Sequence, residues 1–118
     1  MPWSALASGE KLTAAKYNER LASWIFLQMG AATIGDSYNV TSIVDNGAGD
    51  FDINWDIDFA NATYAPVALP GTTPTDGNTQ ALLGFKAIAA GTLTVRATSG
   101  LTTNTDFNVG VAAMGDQT

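Results

Sequence analysis

The stretch DFDINWDIDF, residues 50–59, decides the fold because its apolar and polar residues alternate without interruption. Strict alternation is the pattern of a half-buried β-strand, since successive side chains of a strand point to opposite faces. One face of this strand is apolar and partly aromatic, and must be covered by other elements. Its residues are Phe51, Ile53, Trp55, Ile57 and Phe59, and we expect them to pack in the core or between subunits.

Alternating or apolar runs on both sides of this stretch predict further strands, separated by turn-forming segments such as DNGAG at residues 45–49. Six strands at spacings of about ten residues are typical of an antiparallel β-sandwich or a jelly-roll-like domain. The predicted strands cover residues 38–44, 51–59, 64–69, 83–88, 93–98 and 107–113.

The N-terminal segment has a helical period instead. Four of its residues recur at spacings of four, three and four, as on one face of a helix: Tyr17, Leu21, Trp24 and Gln28. We therefore predict one helix over residues 13–28. The chain divides into an N-terminal arm with this helix, residues 1–30, and a β-sandwich body, residues 31–118.

Composition excludes most catalytic chemistry. The 118 residues contain no cysteine and no histidine, which removes Ser-His-Asp and Cys-His constellations and most transition-metal sites. Paired carboxylates such as Asp56 and Asp58 could serve glycoside cleavage, but on one extended strand they lie about 6.8 Å apart with no pocket implied. We expect no enzyme and no cofactor.

The formal net charge is −6, and the basic residues are few. Phosphate backbones would be repelled, so nucleic acid is not an expected partner. No basic and apolar leader precedes the body, and no apolar stretch approaches the length of a membrane span. We expect a soluble protein that is made in a cytoplasm and binds no membrane.

Carboxylates at alternating positions resemble the first ligands of a calcium loop; here they are Asp50, Asp52, Asp56 and Asp58. The spacing fails further along, because Trp55 stands where such a loop needs glycine and Asn61 where it needs a bidentate Glu. We favour a solvated strand face whose like charges oppose edge-to-edge pairing, without a metal ion.

Two stretches resemble a known group of proteins. LASGEKLTAAKYN, residues 6–18, resembles a Gly-x-x-Leu-Thr-Ala-Ala-x-x-Asn segment near the N-terminus of tailed-bacteriophage fibre and related virion proteins. SYNVTSIVDNGAGDFDINW, residues 37–55, with ATYA, residues 62–65, resembles the β-motif of those proteins, where a Ser-x-Asn-Val start leads through a Gly-x-Gly turn into an aromatic strand.

The resemblance implies a virion component, commonly a homotrimer, whose N-terminal segment attaches to the particle while a β-rich body projects outward. The chain lacks the long shaft and large tip of a receptor-binding fibre, so a capsid decoration protein or a short head or tail fibre fits better. Large rigid aromatic residues often anchor a partner. The expected attachment residues are Trp3, Leu6, Leu12, Tyr17, Leu21 and Trp24.

A second hypothesis is a receptor- or glycan-binding module of a tail fibre, with the loop of residues 72–80 and Tyr64 near the site. A third, enzymatic hypothesis is a fragment of a polysaccharide depolymerase. We favour the structural virion component.

Overall fold

A computed structural model describes residues 8–9, 11, 23–72, 81–100 and 103–115 of the protein. Every regular element in these residues is a β-strand. In chain order the strands are β1 Ser23–Gln28, β2 Thr33–Tyr38, β3 Val40–Asp45, β4 Asp50–Trp55, β5 Ala65–Thr72, β6 Ala81–Ile88, β7 Thr92–Ser99, β8 Thr103–Asn104 and β9 Asn108–Met114.

The strands form two antiparallel sheets with one shared core, as the sequence predicts. Sheet A has the order β2-β1-β9-β5. Sheet B has the order β3-β4-β7-β6, and β8 also pairs with β7. The inner faces of both sheets contribute buried apolar side chains, chiefly Ile25, Leu27, Val109, Val111 and Ala113 from sheet A and Phe51, Ile53, Leu93, Val95 and Ala97 from sheet B.

The prediction of a helix over residues 13–28 is wrong for its last six residues. Residues 23–28 form β1, which pairs with β2 on one side and β9 on the other. Ile25 and Leu27 point into the core, whereas Trp24 between them points outward. The predicted arm therefore contributes an interior strand to the body, and the rest of the predicted helix lies outside the described residues.

The other predicted strands are confirmed within a few residues. The strands predicted over residues 83–88 and 93–98 are β6 and β7, which pair as a hairpin, and the last predicted strand is β9. The strand predicted to stop at residue 69 continues through Pro70 as β5, an edge strand, where proline is tolerated. Strands β1, β2 and β8 were not predicted.

Asn39 links β2 to β3 and fixes the end of β4. Its φ of 59° lies in the left-handed region, which Asn tolerates better than most residues. Its side-chain amide donates to Ser23 Oγ at 2.8 Å and to the Ile57 carbonyl at 2.9 Å, and its Oδ1 accepts from the Ile57 N–H at 2.6 Å. The Asp56 N–H donates to the Asn39 carbonyl at 3.0 Å.

These bonds turn the chain away from sheet B after Trp55. The predicted strand of residues 51–59 is therefore wrong beyond residue 55. Ile57 is 49% exposed instead of packed, while Phe59 returns to the core after the turn.

Gly49 closes the turn between β3 and β4. Its φ is +64°, and a Cβ there would lie 2.8 Å from both the N and the O of Thr105 and would collide with the Ala97 carbonyl. The Gly49 N–H donates to Asp106 Oδ1 at 2.8 Å. Only glycine fits this position without a shift of the neighbouring backbone.

An aromatic cluster closes one end of the core. Trp55 and Phe59 meet edge to face with ring centroids 5.7 Å apart, and Phe59 stacks on Tyr64 at 4.0 Å. The Tyr64 hydroxyl donates to the Ala89 carbonyl at 2.9 Å and accepts from Trp55 Nε1 at 3.4 Å. Burial raises the pKa of the Tyr64 phenol, against the Trp55 hydrogen bond, which lowers it.

The described part of the chain holds no helix that is long and apolar enough to span a lipid bilayer.

Candidate interaction surfaces

The structure separates the residues that the sequence singles out for attachment. Trp24 lies on the outer face of β1 with 40% of its surface exposed. The other expected attachment residues, Trp3, Leu6, Leu12, Tyr17 and Leu21, lie outside the described residues. Their role in attachment stays a prediction.

Four of the five residues predicted to pack in the core or between subunits are in the core of their own chain. Phe51, Ile53, Trp55 and Phe59 are at most 4% exposed. They are therefore not available for a subunit interface in this fold. An interface must use other residues.

The outer face of sheet A is the largest group of exposed apolar side chains in the described residues. Leu69 is 67% exposed, and Val67, Met114 and Trp24 are each exposed by 40% or more. We call this surface the apolar face and define it as Trp24, Phe26, Val67, Leu69, Gly110, Ala112 and Met114. Asp36, at the β2 edge, is the only charged residue in the four strands of sheet A.

Strand register arranges these side chains in rows across the sheet. Trp24 lies beside Ala112, which lies beside Val67. In the next row, Phe26, Gly110 and Leu69 stand in the same order. Large side chains on β1 and β5 thus flank small ones on β9.

We call the low line along β9, formed by Gly110 and Ala112, the trough. The ring of Phe26 lies over Gly35 of β2, since a Cβ on Gly35 would come within 2.8 Å of it. Phe26 therefore leans away from the trough. A Cβ on Gly110 would have ordinary contact with the Leu69 carbonyl at 3.8 Å, so a side chain there fits this chain and would occupy the trough.

The sequence did not reveal this face because apolar residues on the outer side of a strand abolish the apolar–polar alternation by which strands are predicted. A half-buried strand shows alternation only when its outer residues are polar. In β1 the outer residues are Trp24 and Phe26, so β1 has no apolar–polar alternation. The spacing of four, three and four residues that ends at Gln28 then favours a helix. An apolar run too short for a buried helix, followed by Gly30, was the available signal.

The outer face of sheet B is mostly polar and internally bonded, although Val44 and Leu82 are also exposed there. Thr94 Oγ1 donates to Asp52 Oδ1 at 2.7 Å, and Thr92 Oγ1 donates to Asn54 Oδ1 at 2.9 Å. Asn54 Nδ2 in turn donates to Ser42 Oγ on β3 at 3.1 Å. These bonds tie neighbouring strands together and leave a hydrophilic surface.

Asp50 forms an ion pair with Lys86 across this face, with Nζ 2.8 Å from Oδ2. The hydrogen bond from Lys86 holds the pKa of the Asp50 carboxyl below its usual value, with smaller contributions in the same direction from Asn46 and the charge of Arg96. Partial burial of Asp50 opposes this shift and raises its pKa.

The carboxylates considered as calcium ligands have separate partners. Asp50 pairs with Lys86, Asp52 accepts from Thr94, and Asp56 accepts from Thr41 at 3.4 Å. Among the described residues, no group of three or more His, Cys, Asp or Glu side chains lies close enough together to hold a metal ion.

A groove of about 450 Å³ runs along β6 and β7 on sheet B. Its outward-facing residues combine one apolar side chain, two cations, a glycine and a threonine: Leu82, Gly84, Lys86, Arg96 and Thr98. Lys86 and Arg96 are also the only two basic residues in residues 23–118. Because Asp50 offsets the charge of Lys86, these three residues leave a local excess of one positive charge on an acidic body.

Tyr64 cannot serve the glycan site predicted for it. It is 7% exposed and its hydroxyl is held by the aromatic cluster. Residues 73–80 of the loop predicted beside it lie outside the described residues.

Comparisons of the chain with protein-family models, with curated proteins and with solved structures returned no match. The two outer faces of the sandwich are therefore the observations that bear on function.

Proposed function

We propose that this protein is a structural component of a tailed-bacteriophage virion, a capsid decoration protein or a short head or tail fibre, that assembles with copies of itself and docks on the particle. The observation that carries the proposal is the apolar face of sheet A. The largest contiguous apolar patch of a soluble protein is often its interaction site.

The contrast between the two outer faces supports self-assembly. Sheet B already satisfies its outer polar groups within the chain. Sheet A presents apolar groups that only contact with another surface can remove from water. Apolar burial of this kind stabilises an assembly by about 25 cal/mol per Å².

The assignment to a virion protein rests on the resemblance of residues 6–18 and 37–55. In the second stretch, the distinctive residues hold structural positions: Asn39 joins the sheets, Gly49 closes a turn, and Trp55 belongs to the core. These positions support a shared β-fold with the proteins that the stretch resembles.

Particle binding tests this function. Purified protein is incubated with empty capsids and, separately, with isolated tails of the phage that encodes it, and bound protein is measured after sedimentation. We expect saturable binding to one of the two. Trp3→Ser should reduce that binding at least tenfold, because Trp3 is the predicted anchor of the arm.

Ile57→Ser is the matched control, since it replaces an exposed apolar residue of the body. It should bind as the wild-type protein does. A folded protein that binds neither capsids nor tails would contradict the proposed function.

The groove on sheet B favours a second candidate, a receptor- or glycan-binding module. Arg96 would pair with a carboxylate of an acidic sugar beside the Asp50–Lys86 pair, and Leu82 would cover an apolar sugar face. A glycan array that includes acidic polysaccharides tests this candidate. Binding that Arg96→Gln abolishes would support it, and an array without any bound glycan would remove it.

A further inference from the structure

We propose that the apolar face packs against the same face of a second copy, so that Trp24 of each copy enters the trough of the other. This inference rests on the self-assembly in the proposed function and names the surface and geometry that produce it. The occupant of the face is a second copy of this chain.

The strand order makes the face self-complementary. The middle of sheet A lies between β1 and β9. A two-fold axis along this line, parallel to the strands, places β1 of each copy over β9 of the other and β2 over β5. The two sheets then overlap along their whole width in aligned packing, with a spacing of about 10 Å.

The register makes the match specific within each row. In the first row Trp24 of one copy lies over Ala112 of the other, and in the second row Phe26 lies over Gly110. A large residue thus faces a small one at all four central strand positions, with the Phe26 ring displaced toward β2. Such reciprocal contacts are what an isologous interface requires.

Charge also favours a second copy. Each chain carries a net charge of −6, so two copies repel each other at most approaches. Sheet B would bring Asp50 and Asp52 of both copies together. The apolar face keeps charge out of the middle of the contact: Asp36, the one charged residue of its four strands, lies in the row of Phe26 at the β2 edge and would face Leu69 of the other copy at the rim.

The size of the face limits the affinity of the dimer. The four strands lie about 4.8 Å apart and are about 20 Å long, which gives the sheet a footprint of roughly 400 Å² per copy. Stable interfaces bury about 800 Å² per partner. We therefore expect a dissociation constant in the micromolar range.

The test uses two glycines that both have room for a side chain, one on the outer face of each sheet. Neither Gly110 nor Gly84 has a heavy atom closer than 3.8 Å to an added Cβ, and both lie in strands, where valine is favoured. Gly110→Val fills the trough, whereas Gly84→Val changes the outer face of sheet B. Sedimentation velocity from 1 to 200 µM measures association, and circular dichroism confirms the fold.

We expect the wild-type protein and Gly84→Val to form the same dimer, and Gly110→Val to weaken it at least tenfold. Trp24→Thr, which keeps a strand-forming residue and removes the large side chain, should weaken it similarly. This second variant keeps the test decisive if Gly110→Val fails to fold.

A dimer insensitive to both Gly110→Val and Trp24→Thr would overturn the pairing, as would equal weakening by Gly84→Val. A trimer, the assembly that the resemblance implies and from which this two-fold pairing departs, would overturn the two-fold geometry and leave self-assembly standing. A monomer at every concentration that still binds capsids or tails would overturn the pairing but not the particle role, and a monomer that binds neither would overturn both.

Discussion

Gly49 and Gly100 have the same backbone conformation in different surroundings. Both have φ of +64°, but a Cβ on Gly49 meets Thr105 and Ala97, whereas a Cβ on Gly100 meets nothing within 4 Å. Gly100→Ala should cost about 1–2 kcal/mol from the left-handed conformation alone. Gly49→Ala should cost a further 1–3 kcal/mol or so from the collision. Urea unfolding of both variants measures the difference, and equal costs would contradict the tight turn.

Asn39 joins two sheets through one side chain. Asn39→Ala loses the bonds to Ser23 and Ile57 and keeps the left-handed strain, so we expect a loss of about 2–4 kcal/mol in the free energy of unfolding. Asn39→Gly should cost about 1 kcal/mol less because glycine relieves the strain. Chemical denaturation separates the two variants, and a glycine variant as stable as wild type would show that the side-chain bonds contribute nothing.

The Asp50–Lys86 pair makes stability depend on pH. The pKa of Asp50 is lowered in the folded protein, so its contribution is present above the unfolded value of about 3.9 and is lost as pH falls through the folded value. Lys86 is half exposed, and solvent screening limits the contribution to roughly 0.5–1 kcal/mol. Lys86→Met should therefore lower stability at pH 7 and flatten the decline below pH 4.

Urea unfolding at pH 7 and at pH 3 measures this effect, with Asp50→Asn as the partner variant. The double variant should lose no more than the larger single loss, because both changes remove the same pair. Additive losses would mean that the two residues act independently.

At the scale of elements, the opposite burial of neighbouring residues in β1 gives the clearest prediction. Ile25 is 1% exposed and Trp24 is 40% exposed, although they are neighbours in sequence. Ile25→Lys places an unpaired charge in the core and should prevent folding or cost more than about 4 kcal/mol, whereas Trp24→Lys should change the stability of the monomer by about 1 kcal/mol or less. Thermal unfolding at low micromolar concentration compares them, and similar losses in both variants would contradict the strand.

The parts of the fold that could be predicted are those with local signals. Residues 51–55 alternate because sheet B has a polar outer face, and Gly91 marks the hairpin between β6 and β7. The end of β4 could not be predicted, since Asn39, far away in sequence, turns the chain there.

The candidate site was hidden for a related reason. Trp24 and Phe26 are apolar on the outer face of β1, which removes the period-two pattern and leaves a helical one. Local sequence reasoning fails most often at functional positions, because such positions depart from what folding alone requires. The misassigned segment is the one that carries the proposed interface.

The edges of the sheets also bear on assembly. Pro66 and Pro70 on β5 lack N–H donors, so this edge of sheet A is poorly suited to pair with a strand from another chain. Contact through the face, rather than extension of the sheet, is the mode that sheet A allows at β5.

For the whole molecule, the two sheets have different outer faces. Sheet B has a mostly polar outer face tied together by side-chain hydrogen bonds, and sheet A has an apolar outer face that the described residues leave exposed. Copies held on a particle by their arms would meet at high effective concentration, so a micromolar contact would be enough to order them.

The most direct test of this account is the mass of the wild-type protein in solution, measured by light scattering across a dilution series from 200 to 1 µM. We predict a mass near twice the 12.2 kDa of one chain at the highest concentration, falling toward 12.2 kDa on dilution. A mass of 12.2 kDa at every concentration would contradict the claim that sheet A is a self-assembly surface.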